Sequence, residues 1–95
     1  MKEDDVSSLK KKVEDAFEEK ILNEHQKESL LTTINAIGSF RIGQQLILAS
    51  LITELATKTD ISRQKESALL LRRYLKTLGM QEYIVNKLSD AFGLL

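Results

Sequence analysis

No proline occurs in this chain of 95 residues, and glycine occurs only four times. A β-sandwich or β-barrel needs frequent Gly and Pro residues to turn the chain between strands, so this composition disfavours a turn-rich β fold. Apolar residues recur at helical spacing, and no run alternates apolar with polar residues as a half-buried strand does. We therefore predict an all-α protein, a compact bundle of four to five short helices.

The length predicts a single all-helical domain over residues 1–95, with a charged amphipathic helix over 1–22 and a helical core over 23–95. Hydrophobic residues make up 42% and charged residues 29%, which is an ordinary globular balance. The chain has no Cys, which excludes disulfides and thiolate metal sites. No apolar run approaches the about 20 residues that span a bilayer. We expect a cytoplasmic protein without a membrane segment.

Local signals place the ends of five helical segments. Asp4 or Asp5 is the expected N-cap of the first segment. Asn23, with Gln26 three residues later, predicts a capping box at the second. Asp60 or Ser62 is expected to cap the fourth. Glycines that follow apolar residues predict left-handed helix ends at Gly38, Gly79 and Gly93. The predicted helices cover about 5–20, 23–37, 43–57, 61–78 and 81–92.

The segment 43–57 is apolar over most of its circumference, which is typical of a helix buried on several sides. We therefore predict that it is the central helix of the fold, with Leu51, Ile52 and Leu55 in the core. In the segment 61–78, the predicted core face is made of Ala68, Leu70, Leu71, Tyr74, Leu75 and Leu78.

Excess apolar surface predicts a homodimer, because a domain of this size buries only about 60–65% of its surface on its own. We expect the interface to form from the third and fifth helices and the C-terminal tail. The predicted interface residues are Leu48, Ile52, Ile84, Leu88, Phe92, Leu94 and Leu95.

The sequence offers no constellation of catalytic residues. His25 is the only histidine, and no nucleophile motif or cluster of metal ligands accompanies it. Two glycines precede the third helix at Gly38 and Gly43, but the spacing and the lysine of a phosphate-binding loop are missing. We predict a non-enzymatic protein with no catalytic, cofactor-binding or metal-binding residues, and we expect His25 at the surface.

Charge is unevenly distributed along a chain whose formal net charge is zero. Residues 61–78 carry five cations against Glu66 alone, whereas residues 1–28 carry six lysines against nine acidic residues. We predict one exposed partner-binding face on the fourth helix, directed at an acidic protein surface. The alternatives are a solvated outer face or pairing with the acidic first helix. The predicted face consists of Lys65, Leu69, Arg72, Arg73 and Lys76.

The segment Leu55–Ser62 resembles the first helix and turn of helix-turn-helix DNA-binding domains. In that family an Ala is followed four residues later by Gly, and here Ala56 is followed by Asp60. The resemblance implies a left-handed Asp60, a buried residue at Leu70 and a DNA-reading helix over 61–78. The chain departs from the family at Glu66, where the family buries Val or Ile.

A second resemblance covers residues 30–75 and rests on Ser50-Leu51-Ile52, Leu55 and Asp60 at helical spacing, followed by Arg72 and Leu75. This pattern resembles the small enterobacterial biofilm and acid-resistance connector proteins. The resemblance implies a short all-helical chain that dimerises and modulates two-component signalling in bacteria.

Together these patterns favour a small regulatory or adaptor protein that acts through protein–protein contacts, such as a connector in stress or biofilm regulation. One alternative is a small helix-turn-helix-like DNA-binding regulator that uses the helix 61–78. Another is an immunity-type or phage-encoded inhibitor, because small helical bundles without cofactors also serve in that role.

Overall fold

A computed structural model describes residues 3–94, which form five α-helices and one short 3-10 helix and no strand. The all-α prediction is therefore confirmed. The 3-10 helix, Ile37–Ser39, follows the second α-helix directly. The α-helices are α1 (Glu3–Glu18), α2 (Glu24–Ala36), α3 (Ile42–Thr57), α4 (Ile61–Thr77) and α5 (Glu82–Phe92).

The helices form a closed ring around one hydrophobic core. Within residues 3–94, α1 packs on α2 and α3, α3 packs on α4, α4 packs on α5, and α5 returns to α2. The ring is flattened, with extents of 30, 29 and 19 Å. Every helix therefore turns one face to the core and another to the outside. The largest fully buried side chains come from all five helices and from Leu22 and Ile37 between them.

This ring corrects the prediction that the third helix is central and buried on several sides. Helix α3 buries Leu48, Ile52 and Leu55. Leu51, which was expected in the core, is only half-buried. Three apolar side chains of α3 face outward, with exposed fractions of 65% at Ile42, 58% at Leu46 and 49% at Ile47. An apolar circumference does not ensure burial, because a helix with two neighbours in a ring keeps an open side.

The predicted dimer interface is wrong for five of its seven residues. These five are no more than 7% exposed within a single chain, so they pack in its own core and offer no surface to a second copy. Leu94 is half-buried, and Leu95 lies outside the described residues. The buried five are Leu48, Ile52, Ile84, Leu88 and Phe92.

Two predicted N-caps are confirmed. The Asn23 side chain accepts from the Gln26 backbone N–H at 2.8 Å, and Gln26 Oε1 accepts from the Asn23 N–H at 3.0 Å, which completes the capping box. Asp60 Oδ1 accepts from the backbone N–H of Ser62 at 2.8 Å. The prediction of an N-cap at Asp4 or Asp5 is wrong, because α1 already begins at Glu3.

Two of the three predicted glycine ends are confirmed. Gly79 follows α4 with a φ of +79°, and Gly93 ends α5 with a φ of +64°. The prediction is wrong at Gly38, which lies in the 3-10 helix without a positive φ. The first helix was predicted to end near residue 20 and ends at Glu18, but the left-handed residue that follows it, Lys20 with a φ of +64°, was not predicted.

Glutamine side chains form hydrogen bonds to the backbone of the connections between helices. The spacing of apolar residues could not predict this role. Gln45 Nε2 donates to the Phe40 carbonyl at 2.8 Å and holds the segment between α2 and α3. Gln64 Nε2 donates to the Ile21 carbonyl at 3.1 Å and ties α4 to the segment after α1. Both glutamines are more than nine-tenths buried. Their carbonyl partners would otherwise lose water without a replacement donor.

Candidate protein-binding surface

One line of residues runs along α4 where it meets the end of α5. Lys65, Leu69, Arg72 and Lys76 recur at spacings of four, three and four, which places them on one side of a helix. A Cβ built on Gly93 would lie 3.9 Å from Lys65 Cε, so the chain after α5 passes close to this line. We call this strip, together with Leu94, the basic groove.

Two open clefts lie along the basic groove. The first has a volume of about 420 Å³ and is lined by Ser62, Lys65, Glu66, Leu69, Gly93 and Leu94. The second, of about 180 Å³, is lined by Arg72, Lys76, Met80, Glu82, Val85 and Asn86. The floor of the groove is therefore partly apolar, and cationic side chains stand along it.

The structure brings together four of the five residues that were predicted to form the partner-binding face. Lys65 and Lys76 are exposed, while Leu69 and Arg72 are half-buried. The fifth residue, Arg73, is exposed but lines neither cleft. It follows Arg72 in the helix and is therefore turned by about 100° from the groove.

Arg72 has a structural role as well as a place in the groove. Its Nη1 donates to the Leu94 carbonyl at 3.3 Å and holds the end of the chain against α4. Its Nε is buried and has no hydrogen-bond partner within residues 3–94. A charge reversal at Arg72 would therefore disturb the fold as well as the groove, and Lys65 and Lys76 are the better probes.

The acidic first helix does not neutralise the groove within one chain. Helix α1 packs on α2 and α3, and no ion pair in the described part of the chain joins it to α4. The salt bridges found there are Lys11–Asp15 and Lys27–Glu28. The alternative in which helix 1 pairs with helix 4 of the same chain therefore finds no support within residues 3–94, where Lys65 and Lys76 make no ion pair.

The features expected from the helix-turn-helix resemblance are not found. Asp60 adopts an extended conformation with φ of −85° instead of a left-handed one. Leu70, expected in the core of the fourth helix, is 52% exposed. Glu66, at the position that the family buries, is exposed as well. The turn between α3 and α4 is thus built by an N-cap and not by the left-handed residue of that motif.

No group of three or more His, Cys, Asp or Glu side chains that could hold a metal ion occurs in the described chain. His25 is exposed in the first turn of α2, as predicted. None of the helices within residues 3–94 is both long enough and apolar enough to cross a membrane.

Comparison with protein-family models, with curated proteins and with solved structures gave no match to this chain. The chemistry of its own surface therefore carries the functional proposal.

Proposed function

We propose that this protein is a small, non-enzymatic regulatory or adaptor protein of the cytoplasm that acts as a homodimer. In this proposal the basic groove binds an acidic segment of a partner protein. The observation that carries it is the row of Lys65, Arg72 and Lys76 beside half-buried Leu69, without an ion pair to any of these cations within residues 3–94. The resemblance to the connector proteins supports a role in bacterial stress or biofilm signalling.

The surroundings of the groove favour a protein partner over duplex DNA. An apolar strip with charged residues at its rim is the usual composition of a protein interface. DNA binding depends on several phosphate contacts, and acidic side chains near them oppose it. Here Glu66 lines the first cleft and Glu82 lines the second.

Selection from a displayed library of random helical peptides tests the proposal. We expect the enriched peptides to combine Asp or Glu with apolar residues at helical spacing, because both features match the groove. The double variant Lys65→Glu/Lys76→Glu should bind these peptides at least about tenfold more weakly, since it removes two charge-assisted contacts.

The matched control is Lys12→Glu/Arg63→Glu, which makes the same change of net charge at two exposed residues outside the groove. It should bind the peptides as the native chain does. Enrichment of peptides without acidic residues would contradict the proposal. Binding to duplex DNA that weakens steeply with salt and is lost in Lys65→Glu/Lys76→Glu would replace it with the DNA-binding alternative.

A further inference from the structure

A second surface lies on the other side of α4, where α4 meets α3. Ser67 Oγ donates to Glu54 Oε2 at 3.4 Å and fixes the level of the two helices relative to each other. The connection between the two helices has three residues, and the helices pack against each other. Leu70 lies three residues after Ser67 and Leu51 three residues before Glu54, so both are within one turn of this contact along their helices.

This surface exposes apolar side chains across both helices. Leu70 is 52% exposed and Ile47 is 49% exposed. Tyr74, four residues after Leu70 and therefore on the same side of α4, is half-buried. Helix α3 carries only one charged residue, Glu54. We call the strip of Ile47, Leu51, Leu70 and Tyr74 the α3–α4 face. Apolar residues grouped in this way mark an interaction surface more often than isolated ones do.

Exposed residues of opposite charge flank Leu70 along the outer side of α4. Glu54 and Glu66 stand at the level of the Ser67 contact, and both are exposed. Arg73 is exposed beyond Leu70. It is seven residues beyond Glu66, so the two side chains stand two turns, or about 10 Å, apart along one helix. Leu70 lies between them.

We infer that the α3–α4 face binds a second copy of this chain about a two-fold axis near Leu70. A two-fold rotation exchanges the two ends of the face, which brings Arg73 of each copy to Glu66 of the other. Self-complementary surfaces of this kind are what a two-fold dimer requires. The inference rests on the homodimer in the proposed function and names the surface that forms it.

The same arrangement leaves the cations of the basic groove outside the dimer contact. Lys65, Arg72 and Lys76 line the clefts on the flank of α4 that meets α5, whereas the α3–α4 face lies on the flank that meets α3. Glu66 also lines the first cleft, so it is the residue that the groove and the dimer contact share. Two copies would therefore present two grooves to partners at once.

Two variants with reversed charges, alone and mixed, test the inference. Their dimerisation is measured by sedimentation equilibrium at micromolar protein concentrations. Glu66→Arg places a second guanidinium against Arg73 of the other copy, and Arg73→Glu places two acidic residues together. Each variant alone should dimerise at least about tenfold more weakly than the native chain, because two attractions become two repulsions. An equimolar mixture of the two should recover dimerisation, since the mixed dimer brings opposite charges together again.

The matched control is a mixture of Glu18→Arg and Lys12→Glu, which makes the same charge changes on α1, away from the face. Each control variant should dimerise as the native chain does. The apolar centre is tested separately by Leu70→Gln, expected to weaken dimerisation at least about tenfold. Ile61→Gln, at an 81% exposed residue outside the face, should have no effect.

The outcomes separate the two proposals. A native dimer that is unaffected by Glu66→Arg, Arg73→Glu and Leu70→Gln would overturn the α3–α4 interface and leave the homodimer standing. A native chain that is monomeric throughout the concentration range would overturn both, and the face would then be available to a different protein. Recovery of dimerisation in the mixed sample supports a contact between two copies of this chain, because binding to a different protein would not require both variants together.

Discussion

Helix α5 concentrates its apolar residues on one face, whereas α3 carries them round most of its circumference. In α5 the pattern and the structure agree, since Ile84, Val85 and Leu88 are all buried. In α3 the pattern and the structure disagree, because Leu48 is buried while Leu46, two residues before it, is 58% exposed. An amphipathic pattern indicates which face enters the core, but a uniformly apolar helix does not.

The difference has a functional meaning. A polar outer face, such as that of α5, requires no partner, because water solvates it. The apolar outer face of α3 is not needed for the core of a single chain, which is closed without it. In the proposed homodimer, Ile47 and Leu51 of α3 belong to the α3–α4 face and contact the second copy, whereas Ile42 and Leu46 lie outside that face.

The largest effect should come from shortening a buried leucine in either helix. Leu88→Ala in α5 and Leu48→Ala in α3 should each lower the free energy of unfolding by about 2–5 kcal/mol, because each leaves a cavity in the shared core. Both leucines are fully buried. Urea unfolding of the two variants and the native chain gives these values. A loss below about 0.5 kcal/mol at Leu48 would show that α3 does not belong to the ring.

Helix α3 also differs from α5 in the hydrogen bonds of a buried glutamine, Gln45. Gln45, on the buried side of α3, donates to the Phe40 and Gly38 carbonyls at 2.8 and 3.3 Å. Gln45→Leu should cost about 1–3 kcal/mol, because it leaves partly buried carbonyls without a donor. Chemical denaturation measures the loss. Gln44→Leu is the control, since that residue is less buried and its side chain only accepts from the Arg41 N–H. An equal loss in both variants would contradict a specific role for Gln45.

The sequence predicted features that depend on neighbouring residues. The Asn23 capping box and the Asp60 N-cap are of this kind, and both are confirmed. Features that depend on distant neighbours were missed. No local pattern shows that α3 would have a free side, or that Gln64 would reach the Ile21 carbonyl 43 residues away.

In the basic groove, too, the sequence predicted what depends on neighbouring residues and missed what depends on distant ones. Helical spacing placed Lys65, Leu69, Arg72 and Lys76 on one side of α4, and the structure agrees. That Arg72 would hold the Leu94 carbonyl could not be predicted, because the contact depends on where the end of α5 passes.

Two glycines at helix ends provide a smaller contrast. Gly93 closes α5 in the left-handed region, so Gly93→Ala should cost about 1–2 kcal/mol. Gly38, between α2 and α3, has no positive φ and no atom within 4 Å of a built Cβ. Gly38→Ala should therefore be neutral or stabilise by about 0.4–1 kcal/mol, because Ala restricts the unfolded chain more than Gly does. Thermal unfolding of both variants checks the sign. A loss at Gly38 as large as that at Gly93 would contradict this account of the two helix ends.

The smallest change in the free energy of unfolding is expected on the outer side of α3. This change tests whether the two sides of α3 contribute differently to the fold. Ile42→Ala and Leu46→Ala should change the free energy of unfolding by less than about 0.5 kcal/mol, because both side chains are more exposed than buried. The measurement is made at protein concentrations too low for dimerisation, so that contacts between copies do not contribute. Under these conditions a loss comparable to that of Leu48→Ala would mean that the outer side of α3 packs within the chain. Near-neutral values beside a large loss at Leu48 would show that one apolar helix has a core face and an outer face that the fold of a single chain does not need.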